Sequence, residues 1–241
     1  MNAPPLLCYP LDFPTVGAAL DGAARVGDHV DVLKIGLELF VEGGPEVVRG
    51  LKRLNKPLFL DLKLHDIPQT VENAVARASE LGVNYLTIHC AGGPAMVAAA
   101  TRRAQAANTG LLLLGVTVLT SLDDTLLGAT GVNRSAQEQA VLLAKMGTES
   151  GLSGFVCSVH ELGSIRQQVG TSSLLVTPGI RTSDADVGDQ RRIATPTVAT
   201  QLGSGMLVVG RPIRDAKDPA LAARAIKDEI QTAFSALGRS A

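Results

Sequence analysis

The chain has 241 residues, with 22 Lys and Arg set against 23 Asp and Glu for a formal net charge of -1. A surface so balanced offers nucleic acid or anionic lipid no basic stripe, so any anionic ligand must be held by a local cluster. Apolar residues make up 46% with no Trp and only 5 Phe, enough aliphatic material for one continuous core, and the length suits a single domain over 1–241.

Cysteine is scarce and odd in number. Cys8, Cys90 and Cys157 each lie in or beside an apolar run, which predicts buried thiols in a reducing compartment rather than disulfides. The opening MNAPPLLCYP has neither a basic leader nor an apolar h-region. The longest apolar stretch, Leu111–Leu119, falls far short of the ~20 residues of a membrane span. The expectation is a cytoplasmic protein with no membrane partner.

Taken in chain order, short leucine-rich or β-branched runs alternate with longer amphipathic stretches. A strand over Leu6–Asp12 precedes a helix over Val16–Arg25, and Val32–Ile35 precedes Pro45–Leu54. Leu58–Asp61 leads to Thr70–Leu81, Tyr85–His89 to Ala95–Ala107, and Leu111–Thr117 to Ala136–Ser150. Gly154–Ser158 is followed by Val159–Val169, Leu174–Thr177 by Pro196–Leu202, and Met206–Val209 by Pro219–Leu237. Eight strand-helix units are the arithmetic of a closed (β/α)8 TIM barrel, whereas open doubly wound sheets usually stop at five or six strands. The two longest irregular segments, Thr120–Ser135 and Gly179–Ile193, both follow strands, and in this architecture those loops build the active site.

Charge gathers around the third strand. In FLDLKLHDIPQT, period-2 alternation puts Asp61 and Lys63 on one face, with Asp66 just past the strand end; Lys34, inside VLKIG, belongs on the neighbouring strand. Ionised side chains in apolar strands are rare unless paired or functional. A structural ion-pair network is the competing reading, but such a network gains little over a hydrophobic replacement. The position at the mouth of a barrel favours chemistry. A lysine between two carboxylates stays protonated, which suits a proton donor rather than a Schiff-base amine.

The string DLKLHDIPQTV resembles the D-x-K-x-x-D-I-P-x-T signature of orotidine 5'-phosphate decarboxylases. The resemblance runs along the chain through LDF at Leu11–Phe13, LKIGLELF at Leu33–Phe40, HCAGG at His89–Gly93, VLTS at Val118–Ser121 and CSVHE at Cys157–Glu161. It continues in TPGIR at Thr177–Arg181, GDQRR at Gly188–Arg192 and VVGRPI at Val208–Ile213. It implies a cofactor-free, metal-free conversion of orotidine monophosphate (OMP) to UMP, the last step of de novo pyrimidine nucleotide synthesis. In that family Lys63 would protonate C6 of the pyrimidine, Asp61 would face the substrate carboxylate, and Lys34 and Asp66 would complete the array. The resemblance also implies a homodimer in which Asp66, Ile67 and Thr70 reach into the neighbouring subunit's site.

A turn after the eighth strand, Gly210-Arg211, combines an open backbone with a guanidinium suited to phosphate, at the end of the barrel where such sites sit. Taken alone, a Gly-Arg pair is a common surface turn. The segment Gly179–Gln190 is too long for a simple turn and reads as a ligand-covering lid, with a disordered loop as its competitor. By resemblance Arg181 and Gln190 contact substrate, Pro178 packs on the pyrimidine, Asp12 takes the ribose hydroxyls and Thr120 the base. Asp12 as a helix N-cap competes with that role, although Thr15 is the better cap.

His65, His89 and His160 suggest a metal site at first sight, but a protonated lysine in the cluster repels a divalent cation, so hydrogen-bonded polar roles are expected. Pro10 departs from the family pattern because it cannot donate to the sheet, which puts the geometry near Asp12 in question. Two alternatives remain open at this stage. One is a Mg²⁺-dependent sugar-phosphate decarboxylase or synthase of the same suprafamily, and the other is a non-catalytic nucleotide-binding barrel, which would keep Gly210-Arg211 but have no use for Lys63.

Overall fold

A computed structural model describes residues 3–181 and 194–238. Its eight strands are β1 (Leu6–Pro10), β2 (Val32–Ile35), β3 (Leu58–Leu64), β4 (Tyr85–His89), β5 (Leu112–Val116), β6 (Gly154–Val156), β7 (Leu174–Thr177) and β8 (Met206–Val208). Each pairs in parallel with its chain neighbours, and β8 pairs back onto β1 through Leu6↔Met206 and Cys8↔Val208, closing the expected barrel.

Helices among the described residues wrap the sheet in chain order. They are α1 (Val16–Val26), α2 (Leu37–Lys52), α3 (Pro68–Glu80), α4 (Gly93–Ala107), α5 (Asp124–Gly128), α6 (Ala136–Glu149), α7 (Leu162–Val169), α8 (Pro196–Gln201), α9 (Arg211–Arg214) and α10 (Pro219–Leu237). Their starts are fixed by local chemistry, since a capping oxygen satisfies backbone N–H groups that have no partner inside the helix. Thr15 caps α1, Ser135 and Glu138 form a reciprocal capping box on α6, and Thr195 and Asp218 cap α8 and α10. Asp12 is therefore released from the capping role that competed for it.

Three elements differ from the sequence reading. The second helix has an added first segment: α2 runs from Leu37 and breaks at Gly44, whose φ of 51° turns the chain, and the expected segment then begins at Pro45. Thr120–Ser135 is not wholly irregular, because Asp123 caps the short α5 and the Asp124 carboxylate accepts from Ala136 N–H at 2.7 Å. The first strand stops at Pro10. Odd-numbered N–H groups of β1 face β2, with Leu11 donating to Lys34 O, while even-numbered ones face β8, whose pairing ends at Val208. The last bond of that ladder is Val209 N–H to Cys8 O, so the β1–β8 pairing ends at the rung where Pro10 has no N–H to give.

Strand alternation divides the core in two. Outward residues such as Leu7, Leu33, Leu60 and Leu86 pack against the helices, each contributing about 1.5–3 kcal/mol by leaving water. Inward residues Cys8, Val32, Phe59, Leu114, Val176 and Met206 fill the barrel interior and form the floor beneath the mouth. The three cysteines are buried and unbridged. Among the described residues no helix is long and apolar enough to cross a membrane.

Candidate active site

Above that floor, at the C-terminal ends of the strands, lies a cavity of ≈ 460 Å³. Sites for small ligands commonly have volumes of about 300–1,000 Å³. Asp12, Lys34, Asp61, Lys63, Thr120, Pro178, Arg181, Gly210 and Arg211 all line it, so residues spread over two hundred positions of sequence meet in one place.

Asp61 is the centre of the charge array. Its Oδ1 accepts from Lys63 Nζ at 2.9 Å, and its Oδ2 lies 3.2 Å from Lys34 Nζ. Lys34 also lies 3.7 Å from Asp12 Oδ1, so the charges alternate from Asp12 through Lys34 and Asp61 to Lys63. Burial pushes the Asp61 carboxyl upward, but Lys34, Lys63 and the hydrogen bonds from Lys63 and Thr87 outweigh it and hold the group below its ordinary value. Lys34 shows the mirror case: burial lowers it, yet Asp61 and Asp12 hold it above the ordinary lysine value. Both groups stay charged because each compensates the other.

Simple alternation does not explain how Lys63 reaches Asp61. The β3–β4 pairing shifts register between Leu60 and Leu64, and Lys63 adopts a left-handed φ of 50°. A non-glycine residue in that region costs about 1–2 kcal/mol, so the surrounding contacts must hold it there. His65, just past the strand end, lies beside His89 of β4. Its ring lies 5.3 Å from that of His89 at a tilt of 39°, while His160 is exposed after β6.

Asp66, expected to flank Lys63, does not do so within the chain. Its carboxylate accepts from the Ile67 N–H at 2.7 Å, and among the described residues no ion pair joins it to Lys63. The whole stretch 65–70, including Ile67 at 67% exposure and Thr70, forms an exposed ledge beside the mouth. Gln190 and most of the 179–190 segment lie outside the described residues. The segment's ends are tied together by Arg181 N–H donating to Ala194 O at 2.9 Å.

Three residues that the sequence reading passed over also shape the site. The buried Thr87 on β4 donates to Asp61 Oδ1 at 2.9 Å. Gly36 stands where a Cβ would come 3.2 Å from Lys34 Nζ, and a Cβ at Gly210 would come 3.0 Å from Pro10 Cγ, so both glycines keep the site open. Arg214, one turn after Arg211, lines the cavity and donates to Asp12 O at 3.2 Å. The polar Thr in YLTIH was the one visible signal among these.

Residues 5–226 match the model of the Orotidine 5'-phosphate decarboxylase / HUMPS family. The chain belongs to this family. An orotidine 5'-phosphate decarboxylase of Anaeromyxobacter dehalogenans is 51% identical over 220 residues, covering 91% of this chain and 96% of that protein. One from Thermobifida fusca is 44% identical over 232 residues, covering 96% and 97%. The crystal structure of an orotidine 5'-phosphate decarboxylase from Lactobacillus acidophilus aligns with a TM-score of 0.82 at 35% identity, covering 95% of this chain and 99% of that one. Within the family's D-x-K-x-x-D-I-P-x-T signature, Asp61 and Lys63 face the cavity and the stretch from Asp66 to Thr70 lies on the exposed ledge.

Proposed function

We infer that this protein decarboxylates OMP to UMP, the last step of de novo UMP synthesis. The observation that carries the reading is the ammonium of Lys63, fixed 2.9 Å from Asp61 in a cavity that also holds the Gly210-Arg211 turn. A phosphate held at that turn leaves the pyrimidine end of the nucleotide to the charged array.

The chemistry asks for such an array. Breaking the bond from C6 to the carboxylate releases neutral CO2 and leaves an electron pair on a carbon with no adjacent carbonyl to delocalise it. A fixed cation beside that carbon is the available stabiliser, and Lys63 supplies it. Its proton passes to C6 to give UMP, and solvent returns a proton to the amine. Asp61 faces the departing carboxylate, a repulsion relieved as CO2 forms; this is the smaller contribution. Lys34 holds the other Asp61 oxygen and keeps the group ionised.

The remaining assignments follow the nucleotide outward. Thr120 meets the base, Pro178 packs against the pyrimidine, Asp12 takes the ribose hydroxyls, and Arg181 and Arg211 hold the anionic end with the backbone at Gly210. The exposed ledge of Asp66, Ile67 and Thr70 fits a homodimer in which these residues complete the partner's site. Light scattering in the presence of UMP should give a dimer mass; a monomer at high concentration would sink that assignment.

The Mg²⁺-dependent sugar-phosphate reading is disfavoured by Asp61 itself, since its two oxygens already have ammonium groups at 2.9 and 3.2 Å that would repel a divalent cation. The deciding experiment follows loss of OMP absorbance in EDTA for the intact protein and for Lys63→Ala. Metal-independent turnover that collapses in the variant is expected. No turnover by well-folded intact protein would overturn the reading in favour of a sugar phosphate with Mg²⁺, or of binding alone.

A further inference from the structure

The arch that carries Asp61 and Lys63 is unusual for a barrel strand. Leu60 pairs with Leu86 and Leu64 with Ile88, so four steps along β3 are set against two along β4, and residues 61–63 face Thr87 alone. Within the arch Lys63 has its left-handed φ of 50°. Its N–H has left the regular ladder and donates instead to Thr87 Oγ1 at 2.9 Å. The same hydroxyl donates to Asp61 Oδ1 at 2.9 Å, the oxygen that also accepts from Lys63 Nζ at 2.9 Å. A closed ring results, running from the Lys63 backbone through the Thr87 hydroxyl and the Asp61 carboxylate to the Lys63 ammonium. Thr87 is 0% exposed, and its β4 neighbours Leu86 and Ile88 point into the outer core.

We propose that Thr87 is a positioning residue for the decarboxylation: its single hydroxyl holds the left-handed backbone of Lys63 and fixes the rotation of the Asp61 carboxylate. The proposal rests on the reading that Asp61 and Lys63 act on OMP. A hydroxyl suits the task because it donates and accepts at once, whereas an isosteric valine does neither. Removing it leaves a partly buried N–H without its partner and frees the arch to relax toward ordinary backbone geometry. The ammonium then shifts by a fraction of an ångström from the carbon it must protonate.

The test compares Thr87→Val, Thr87→Ala and Thr87→Ser with the intact protein by OMP turnover, UMP affinity and hydrogen exchange at the Lys63 amide. In the hydroxyl-free variants kcat should fall about 10- to 100-fold, the scale of a small misplacement in a preorganised site. KM and UMP affinity should hold within about 2-fold, because the phosphate and ribose contacts are untouched. The acid limb of the kcat profile should move to higher pH, since Asp61 loses a donor that favours its ionised form. Lys63 amide exchange should quicken, and Thr87→Ser should restore all of these.

Unchanged kcat in folded Thr87→Val overturns the proposal, as does a loss that Thr87→Ser fails to rescue. Unfolding of both hydroxyl-free variants assigns the hydroxyl to the fold as a whole and overturns it too. If the intact protein does not turn over OMP, or Lys63→Ala does, it is the reading of the pair that fails. The amide exchange, which needs no substrate, then judges the positioning claim alone: exchange unchanged by Thr87→Val overturns it.

Discussion

Both ends of this barrel hold charge against the core, and they handle it in opposite ways. At the N-terminal end the Arg166 guanidinium donates to Gly170 O, Ser173 O and Gly203 O at 2.8, 2.7 and 3.0 Å. At the same end, before β2, Asp31 accepts from Leu7 N–H at 2.9 Å and from Lys227 Nζ at 2.7 Å. Charge there is spent on backbone groups and ties the loops beneath the barrel. At the C-terminal end Lys34, Asp61 and Lys63 are bonded mainly to one another and face a cavity of ≈ 460 Å³. Buried charge alone therefore does not mark a site. What distinguishes the two ends is whether the groups are used up by the chain's own backbone or face space that a ligand can enter.

The comparison breaks most sharply at Lys63. Lys63→Ala should lower kcat by about 10⁴-fold or more, combining the loss of a general acid with that of a fixed cation. Turnover per folded molecule should be unaffected by Arg166→Met; if OMP absorbance shows the two variants equally impaired, the division between the ends is wrong. Next in size, Arg211→Ala should cut kcat/KM for OMP by about 100-fold through loss of a charge-assisted phosphate contact. The same substitution should leave turnover of orotidine, which has no phosphate, within about 2-fold.

At the opposite end the effects belong to stability. Arg166→Met strips three carbonyls of their donor and should cost about 3 kcal/mol in urea unfolding. Lys227→Met removes a partly buried pair and should cost only about 1 kcal/mol, because Asp31 keeps its backbone donor.

The smallest expected effect is that of pH on the array. Asp61 sits below its ordinary value, so its stabilising pairs are complete above the unfolded-state value and are lost only as pH falls through the lower folded one. From about pH 5 to 8 Asp61 should therefore contribute no limb to the kcat profile, which steady-state rates across buffers will check. A limb tracking Asp61→Asn inside that window would contradict the assignment.

Sequence alone determined the strand count, the closed barrel and the identity of the charged residues. Period-2 runs, capping oxygens and a lysine among leucines are local signals that chemistry writes directly into the chain. Three strands, β2, β4 and β7, needed no change, β3 kept its start, and Asp12, Lys34, Asp61, Lys63 and Arg211 meet in one cavity as anticipated. Tertiary structure decided what depends on two strands at once. The arch at Lys63 exists only because β3 and β4 slip in register, and through it Thr87 acquired a role no spacing announces. Gly36 and Gly210 matter for what their missing Cβ atoms do not strike, which is a property of neighbours brought close by folding. Asp66 accepts from Ile67 N–H on the exposed ledge and makes no ion pair with Lys63 among the described residues, because a residue past the end of a strand is placed by the turn and not by the strand's alternation.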